Sequence, residues 1–144
     1  MTTNVFSPEH YEKCRLPLHQ ASPLPGWCYT SDEWYQREVQ TMFHQDWLCL
    51  GRAEQIPEVG DHFSIEVTGR PLIVVRDESS GIRVHSAICR HRGAIITEGS
   101  GKCRAFVCPY HSWTYNLSGQ LIATPGNPPP MAGSQGFCKE DHGL

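Results

Sequence analysis

Residues 63–88 read Phe63-Ser-Ile-Glu-Val67, Thr68-Gly-Arg70, Pro71-Leu-Ile-Val-Val-Arg76, Asp77-Glu-Ser-Ser-Gly81 and Ile82-Arg-Val-His-Ser-Ala-Ile88. Three short β-branched runs separated by two glycine-containing turns predict a meander of antiparallel strands. Working downstream, Arg104-Ala-Phe-Val107, Ser112-Trp-Thr-Tyr115 and Gln120-Leu-Ile-Ala123 continue the pattern, with Leu117-Ser-Gly119 as a further turn. About six or seven strands of this kind predict a mostly β fold, a small antiparallel sandwich or barrel. Working upstream, Thr30-Ser-Asp-Glu33 has capping-box form, and Tyr35, Val39, Met42, Phe43 and Trp47 follow at helical spacing. One amphipathic helix is expected over roughly residues 31–46. Before it, residues 1–29 are proline-rich and weakly periodic, which predicts an extended arm without regular structure. The expected organisation is an arm and helix over 1–50, the β domain over 51–124, and a stiff connector over 125–144. The connector is read from Thr124-Pro-Gly-Asn-Pro-Pro-Pro130, whose prolines have no amide donor to offer a sheet.

Bulk features exclude several classes. The chain has 144 residues, room for one ordinary domain and little more. Twelve Lys+Arg against fifteen Asp+Glu give a net charge of −3, so no basic excess exists to bind nucleic acid. The longest apolar run, Leu72-Ile-Val-Val75, is strand length and far below the roughly 18 residues that cross a bilayer, so no membrane association is expected. Met1 to His10 has neither a basic nor an apolar leader segment. With an odd cysteine count, this leads to the expectation of a reducing cytoplasm.

Seven Cys and eight His are the residues that stand out, because both types bind transition metals. They concentrate in two places, Cys89-Arg-His91 and, after sixteen intervening residues, Cys108-Pro-Tyr-His111. A Cys and a His two or three positions apart in a tight turn can face one site, and two such loops supply four ligands. Zinc sites usually draw a cysteine pair from one loop and a histidine pair from another. Mixing the two types within each loop suits a 2Fe-2S centre with both cysteines on one iron and both histidines on the other. Zinc is the alternative.

Cys89-Arg-His-Arg-Gly93 and Cys108-Pro-Tyr-His111, followed by Trp113 and Tyr115, resemble the Rieske motif in the alpha subunits of Rieske non-haem iron oxygenases. The likeness extends to Phe43-His-Gln-Asp-Trp47 with Gly51, Pro57-Glu-Val-Gly-Asp61, Val74-Val-Arg-Asp77, Leu117-Ser-Gly119 and Gly136-Phe-Cys-Lys139. The resemblance implies that residues 51–124 form a Rieske 2Fe-2S domain, with Cys89 and Cys108 on one iron and His91 and His111 on the other. It differs from the Rieske proteins of cytochrome bc complexes. His91 is followed by Arg92-Gly93 and position 110 is Tyr, so no disulfide braces the two loops. Trp113 stands where that group has a serine donating to a cluster sulfur, which implies a potential near the low end of the Rieske range. Ser112 departs from the family, which usually has Gly there.

The resemblance also implies an electron donor, a flavin reductase, a ferredoxin or both. It implies an acceptor, a mononuclear iron in a catalytic domain of the same or a neighbouring subunit, in a trimer when full length. No residue of this chain is expected to be catalytic. The facial triad of two histidines and a carboxylate that holds such an iron has no counterpart after His111, where only His142 remains. The chain is therefore expected to be the Rieske portion of such a subunit, stopping where the catalytic domain begins. The alternative is a stand-alone Rieske ferredoxin. Cys14, Cys28, Cys49, Cys103 and Cys138 read as small buried hydrophobes, and Cys103 stands apart only in lying between the two ligand loops. His10, His19, His44, His62 and His85 read as surface or hydrogen-bonded histidines. Trp113 and Tyr115 read as core aromatics that also shield the cluster. Arg90 and Arg92 read as solvated charges or as contacts for an acidic donor.

Overall fold

The computed structural model describes residues 4–125 and 138–144. The chain divides into two compact units, Met1–Leu48 and Cys49–Leu144.

In the first unit, the arm is not simply extended. Pro8–Arg15 and Gly26–Tyr29 each form a 3-10 turn. Pro8 opens the first of these, where its missing amide costs nothing. Helix α1 spans Asp32–Glu38, capped by the Ser31 hydroxyl accepting from Trp34 N at 3.3 Å, with Asp32 and Glu33 in the first turn. The cap therefore falls on Ser31, one residue beyond the Thr30 expected. The helix continues as a wide turn over Val39–Phe43, where His44 N donates to Val39 O at 3.0 Å, five residues back. The Thr41 hydroxyl takes Arg37 O at 2.8 Å, the carbonyl that a regular turn would use. This shift ends the helix before 46 and breaks the expected apolar face. Val39 is buried, Met42 is half exposed and Trp47 lies fully exposed outside the helix. Aromatic rings pack this unit instead. Trp34 stacks on Phe6 at 5.6 Å and meets Tyr11 at 5.4 Å, and His10 meets Trp27 edge-on at 5.3 Å.

The second unit carries all the strands found among the described residues. They are β1 (Asp61–Val67), β2 (Arg70–Arg76), β3 (Ile82–Ser86), β4 (Ser100–Lys102), β5 (Phe106–Val107), β6 (Thr114–Tyr115) and β7 (Leu121–Ala123). Two antiparallel sheets form, in the orders β3-β2-β1-β4 and β5-β6-β7, and they do not close into a barrel. A tight turn at Thr68 and Gly69, with φ of 50° and 79°, joins β1 to β2. Positive φ at both central residues is the turn whose twist matches a hairpin.

At the β2–β3 turn the Asp77 carboxylate is buried. It accepts from Ser79 N, Ser79 Oγ and Gly81 N, and from Arg83 Nε at 2.7 Å. One strand has no counterpart among those expected. Ser100-Gly-Lys102 is exposed throughout, has no apolar side chain, and joins the sheet through its backbone pairing with β1. The core brings both sheets together through Ile73 and Val75 of β2, Phe106 of β5, Tyr115 of β6 and Leu121 of β7. Cys89 and Cys108 belong to the same cluster, which fixes the site to the core. The connector expected over 125–144 lies mostly outside the described residues. Its described end, Cys138–Leu144, includes a 3-10 turn over Lys139–His142.

Candidate metal centre

The two cysteine–histidine loops are one backbone device used twice. In the first, Gly93 N donates to Cys89 O at 3.0 Å and Cys89 N to Ala94 O at 2.9 Å. In the second, Ser112 N donates to Cys108 O at 2.9 Å and Cys108 N to Trp113 O at 2.8 Å. Each loop thus turns back four residues after its cysteine, and each does so with a positive φ, 73° at Gly93 and 57° at Ser112. Glycine adopts that conformation freely, whereas serine is strained in it. Ser112 is therefore the costly half of the pair.

These loops bring His91 and His111 together, with ring centroids 4.7 Å apart and planes crossed at 69°. Both Nδ1 atoms are buried and neither has a hydrogen-bond partner. A buried polar atom left unsatisfied costs about 1–3 kcal/mol, so two side by side mark atoms kept for another bond. Burial first, then the charges of His111 and Arg92, hold the His91 imidazole below its ordinary pKa. It is therefore neutral, as a metal ligand must be. Cys89 and Cys108 are both buried, and both are free of disulfides. Two thiols and two imidazoles with unused Nδ1 atoms could hold a cluster that takes two cysteines on one iron and two histidines on the other. Among the described residues no three Cys, His, Asp or Glu side chains gather as a site for a single ion.

The surroundings are specific. Tyr115, fully buried, is hydrogen-bonded through its hydroxyl to Cys89 Sγ at 3.3 Å and accepts from Arg90 N at 3.1 Å; towards a metal-bound Cys89 thiolate, which has no proton, the hydroxyl would be the donor. Burial and the bond to Cys89 push this hydroxyl above its ordinary pKa, so it keeps its proton. Trp113, buried, stacks on His91 at 4.7 Å with planes 6° apart. Tyr110, 59% exposed, lies against the other imidazole, 3.9 Å from His111 between centroids.

Other candidates resolve differently. His85 is buried and hydrogen-bonded to Leu117 O at 2.9 Å. His62 is buried edge-on to Phe106, and its Nδ1 lies 3.7 Å from Cys103 Sγ. Burial pushes the Cys103 thiol up, which leaves it protonated and poorly nucleophilic. Cys28 is buried as expected, whereas Cys49 and Cys138 are exposed. Arg90 is exposed, in keeping with a solvated charge, and its Nε also donates to Gly143 O at 3.0 Å. Sequence reasoning missed that bond, because its acceptor is a backbone carbonyl far along the chain.

The family that these features define is confirmed by comparison. Residues 46–135 match the Rieske [2Fe-2S] domain, and the chain belongs to that family. It is 35% identical over 130 residues to a chloroplastic choline monooxygenase of Arabidopsis thaliana, covering 90% of this chain and 30% of that protein. With the alpha subunit of benzene 1,2-dioxygenase from Pseudomonas putida it shares 37% identity over 107 residues, 74% of this chain and 24% of that one. Among solved structures, a quaternary ammonium Rieske monooxygenase superposes with a TM-score of 0.77 at 28% identity, over 85% of this chain and 35% of the other. Naphthalene 1,2-dioxygenase from Rhodococcus sp. gives 0.70 at 34% identity, over 78% and 25%. The chain thus spans about a third or less of the proteins it matches. No helix among the described residues is long and apolar enough to cross a membrane.

Proposed function

We propose that Cys89 and Cys108 hold one iron and His91 and His111 the other iron of a 2Fe-2S cluster. In this reading the chain is the electron-relay portion of a Rieske oxygenase alpha subunit, with residues 51–124 as the cluster domain and the 125–144 segment leading towards a catalytic domain. The observation that carries it is the pair of buried, unpartnered Nδ1 atoms on the neighbouring rings of His91 and His111, in loops that also bury Cys89 and Cys108. When bound, the cluster takes up and releases one electron at a time. The chain's own contribution is to hold and tune it. The mirrored loops fix the four donors, Trp113 orients the His91 ring by stacking, and the Tyr115 hydroxyl hydrogen-bonds the Cys89 sulfur. The core around Cys89 and Cys108 excludes water.

The donor would be a flavin reductase, directly or through a ferredoxin. The acceptor would be a mononuclear non-haem iron site of the same or a neighbouring subunit, in a trimeric enzyme that hydroxylates an organic substrate with O2. Supporting this over a free ferredoxin are the relatives, which are oxygenase components acting on quaternary amines or aromatic rings according to their names. A cytoplasmic setting accords with free cysteines among the described residues.

Iron and acid-labile sulfide are each expected at about two per chain, with a Rieske-type EPR signal on reduction by dithionite. Zinc at about one per chain without sulfide would sink the assignment. Replacing His111 with Cys exchanges a neutral ligand for an anionic one. It should lower the potential from the Rieske range towards the roughly −400 mV of all-cysteine clusters, and an unmoved potential with the cluster intact would remove His111 from the ligand set. The oxygenase reading is tested by the reading frame beyond Leu144. About 200 to 300 further residues with two histidines and a carboxylate support it, and a stop codon there favours the carrier.

A further inference from the structure

The C-terminal residues Cys138–Leu144 lie beside the ligand loops. Leu144 N donates to Gly119 O at 2.8 Å and the Lys139 ammonium to Ile122 O at 3.2 Å, which seats the segment on the β6–β7 turn and β7. From that seat it reaches the first ligand loop by two separate routes. Gly143 O accepts from Arg90 Nε at 3.0 Å, and the backbone N of the same Arg90 donates to the Tyr115 hydroxyl that binds Cys89 Sγ. Independently, the His142 ring meets Trp113 at 5.7 Å, the indole stacked flat on His91. His142 is itself held by its Nδ1 donating to Cys138 O at 2.9 Å. Both ligands of the first loop are thus backed by the same short segment.

We propose that Cys138–Leu144 is the brace of the first ligand loop, with Arg90 and His142 as positioning residues that hold Cys89 through Tyr115 and His91 through Trp113. This rests on the cluster reading above. A loop anchored only by its own backbone bonds would leave the Tyr115 donor and the His91 ring free to shift, and hydrogen bonding to the ligand sulfur is one of the levers on a cluster's potential. No disulfide joins the described cysteines, so covalent bracing is not what holds this loop. The segment supplies a non-covalent substitute, and any movement imposed on residues 138–144 is transmitted to the redox centre.

The test uses the full, cluster-loaded chain and two substitutions, Arg90→Ala and His142→Ala. Hydrogen exchange at the Leu144 amide reports the seat of the tail, and an EPR-monitored redox titration reports the cluster. Each variant is expected to speed Leu144 exchange and to lower the midpoint potential. In the double variant the shift should be smaller than the sum of the two, because both residues serve one brace. Leu144 exchange at the unsubstituted rate in both variants overturns the proposal, as does faster exchange with an unmoved potential. A potential shift confined to Arg90→Ala also overturns it, since loss of a nearby positive charge alone would then account for the effect. Absence of the Rieske EPR signal from the unsubstituted chain is a different failure, that of the cluster assignment itself.

Discussion

Tyr115 and Ser112 show how much single side chains contribute at this centre. The Tyr115 hydroxyl sits in the core with one donor and one acceptor bond, both directed at the first ligand loop. Tyr115→Phe removes the proton donated to Cys89 and leaves the ring in place. A hydrogen bond to a charged sulfur contributes about 1.5–3 kcal/mol, and only the part gained on reduction shifts the couple. For a one-electron couple the midpoint potential should therefore fall by no more than about 65–130 mV, measurable by EPR-monitored titration. Ser112 is the opposite case, a side chain that costs stability. At a φ of 57° it carries left-handed strain of about 1–2 kcal/mol, against which glycine loses part through its freer unfolded chain. Ser112→Gly should stabilise the protein by about 0.5–1 kcal/mol in a denaturant titration, with the EPR signal retained.

At the scale of elements, the β2–β3 turn is organised by one carboxylate. The Arg83 guanidinium first, then the Ser79 hydroxyl, hold the Asp77 carboxyl well below the usual range. The folded state therefore binds fewer protons than the unfolded one in this acidic window. Its contribution to stability is complete above the unfolded carboxylate pKa of about 4 and is lost as pH falls through the lower folded value. Asp77→Asn should lower the melting temperature at neutral pH and flatten its decline between about pH 5 and pH 2. An acid decline as steep as that of the unsubstituted protein would assign the sensitivity to other groups. This turn is legible in the sequence, as are the three long strands around it, because their β-branched runs and glycine turns are local signals. Strand β4 is not, since Ser100-Gly-Lys102 pairs by backbone alone. The end of the helix is hidden for a related reason. A single hydroxyl, that of Thr41, redirects a carbonyl there, and apolar spacing does not register it. The four site residues can be read from spacing and ligand type. The bonds of Cys89 and Arg90 to Tyr115, and of Arg90 to Gly143, need the folded chain, because each joins residues distant in sequence.

For the molecule as a whole, the division into two units makes a simple demand. The ligand loops and the side chains described around them all lie within Cys49–Leu144, whose core includes Cys89 and Cys108. Residues 49–144 expressed alone are therefore expected to fold and to bind iron and sulfide at the same ratio as the 144-residue chain. Loss of the EPR signal from that fragment would show that Met1–Leu48 takes part in holding the cluster.

The mirrored loops differ in one respect, since the histidine follows its cysteine by two positions in one and by three in the other. That offset breaks the symmetry of the site. One imidazole lies under a buried indole and the other beside a tyrosine open to solvent. The two imidazoles consequently sit in different surroundings, with the Trp113 side buried and the Tyr110 side exposed. A one-residue difference in loop spacing is thus enough to give an otherwise repeated motif two unlike sides.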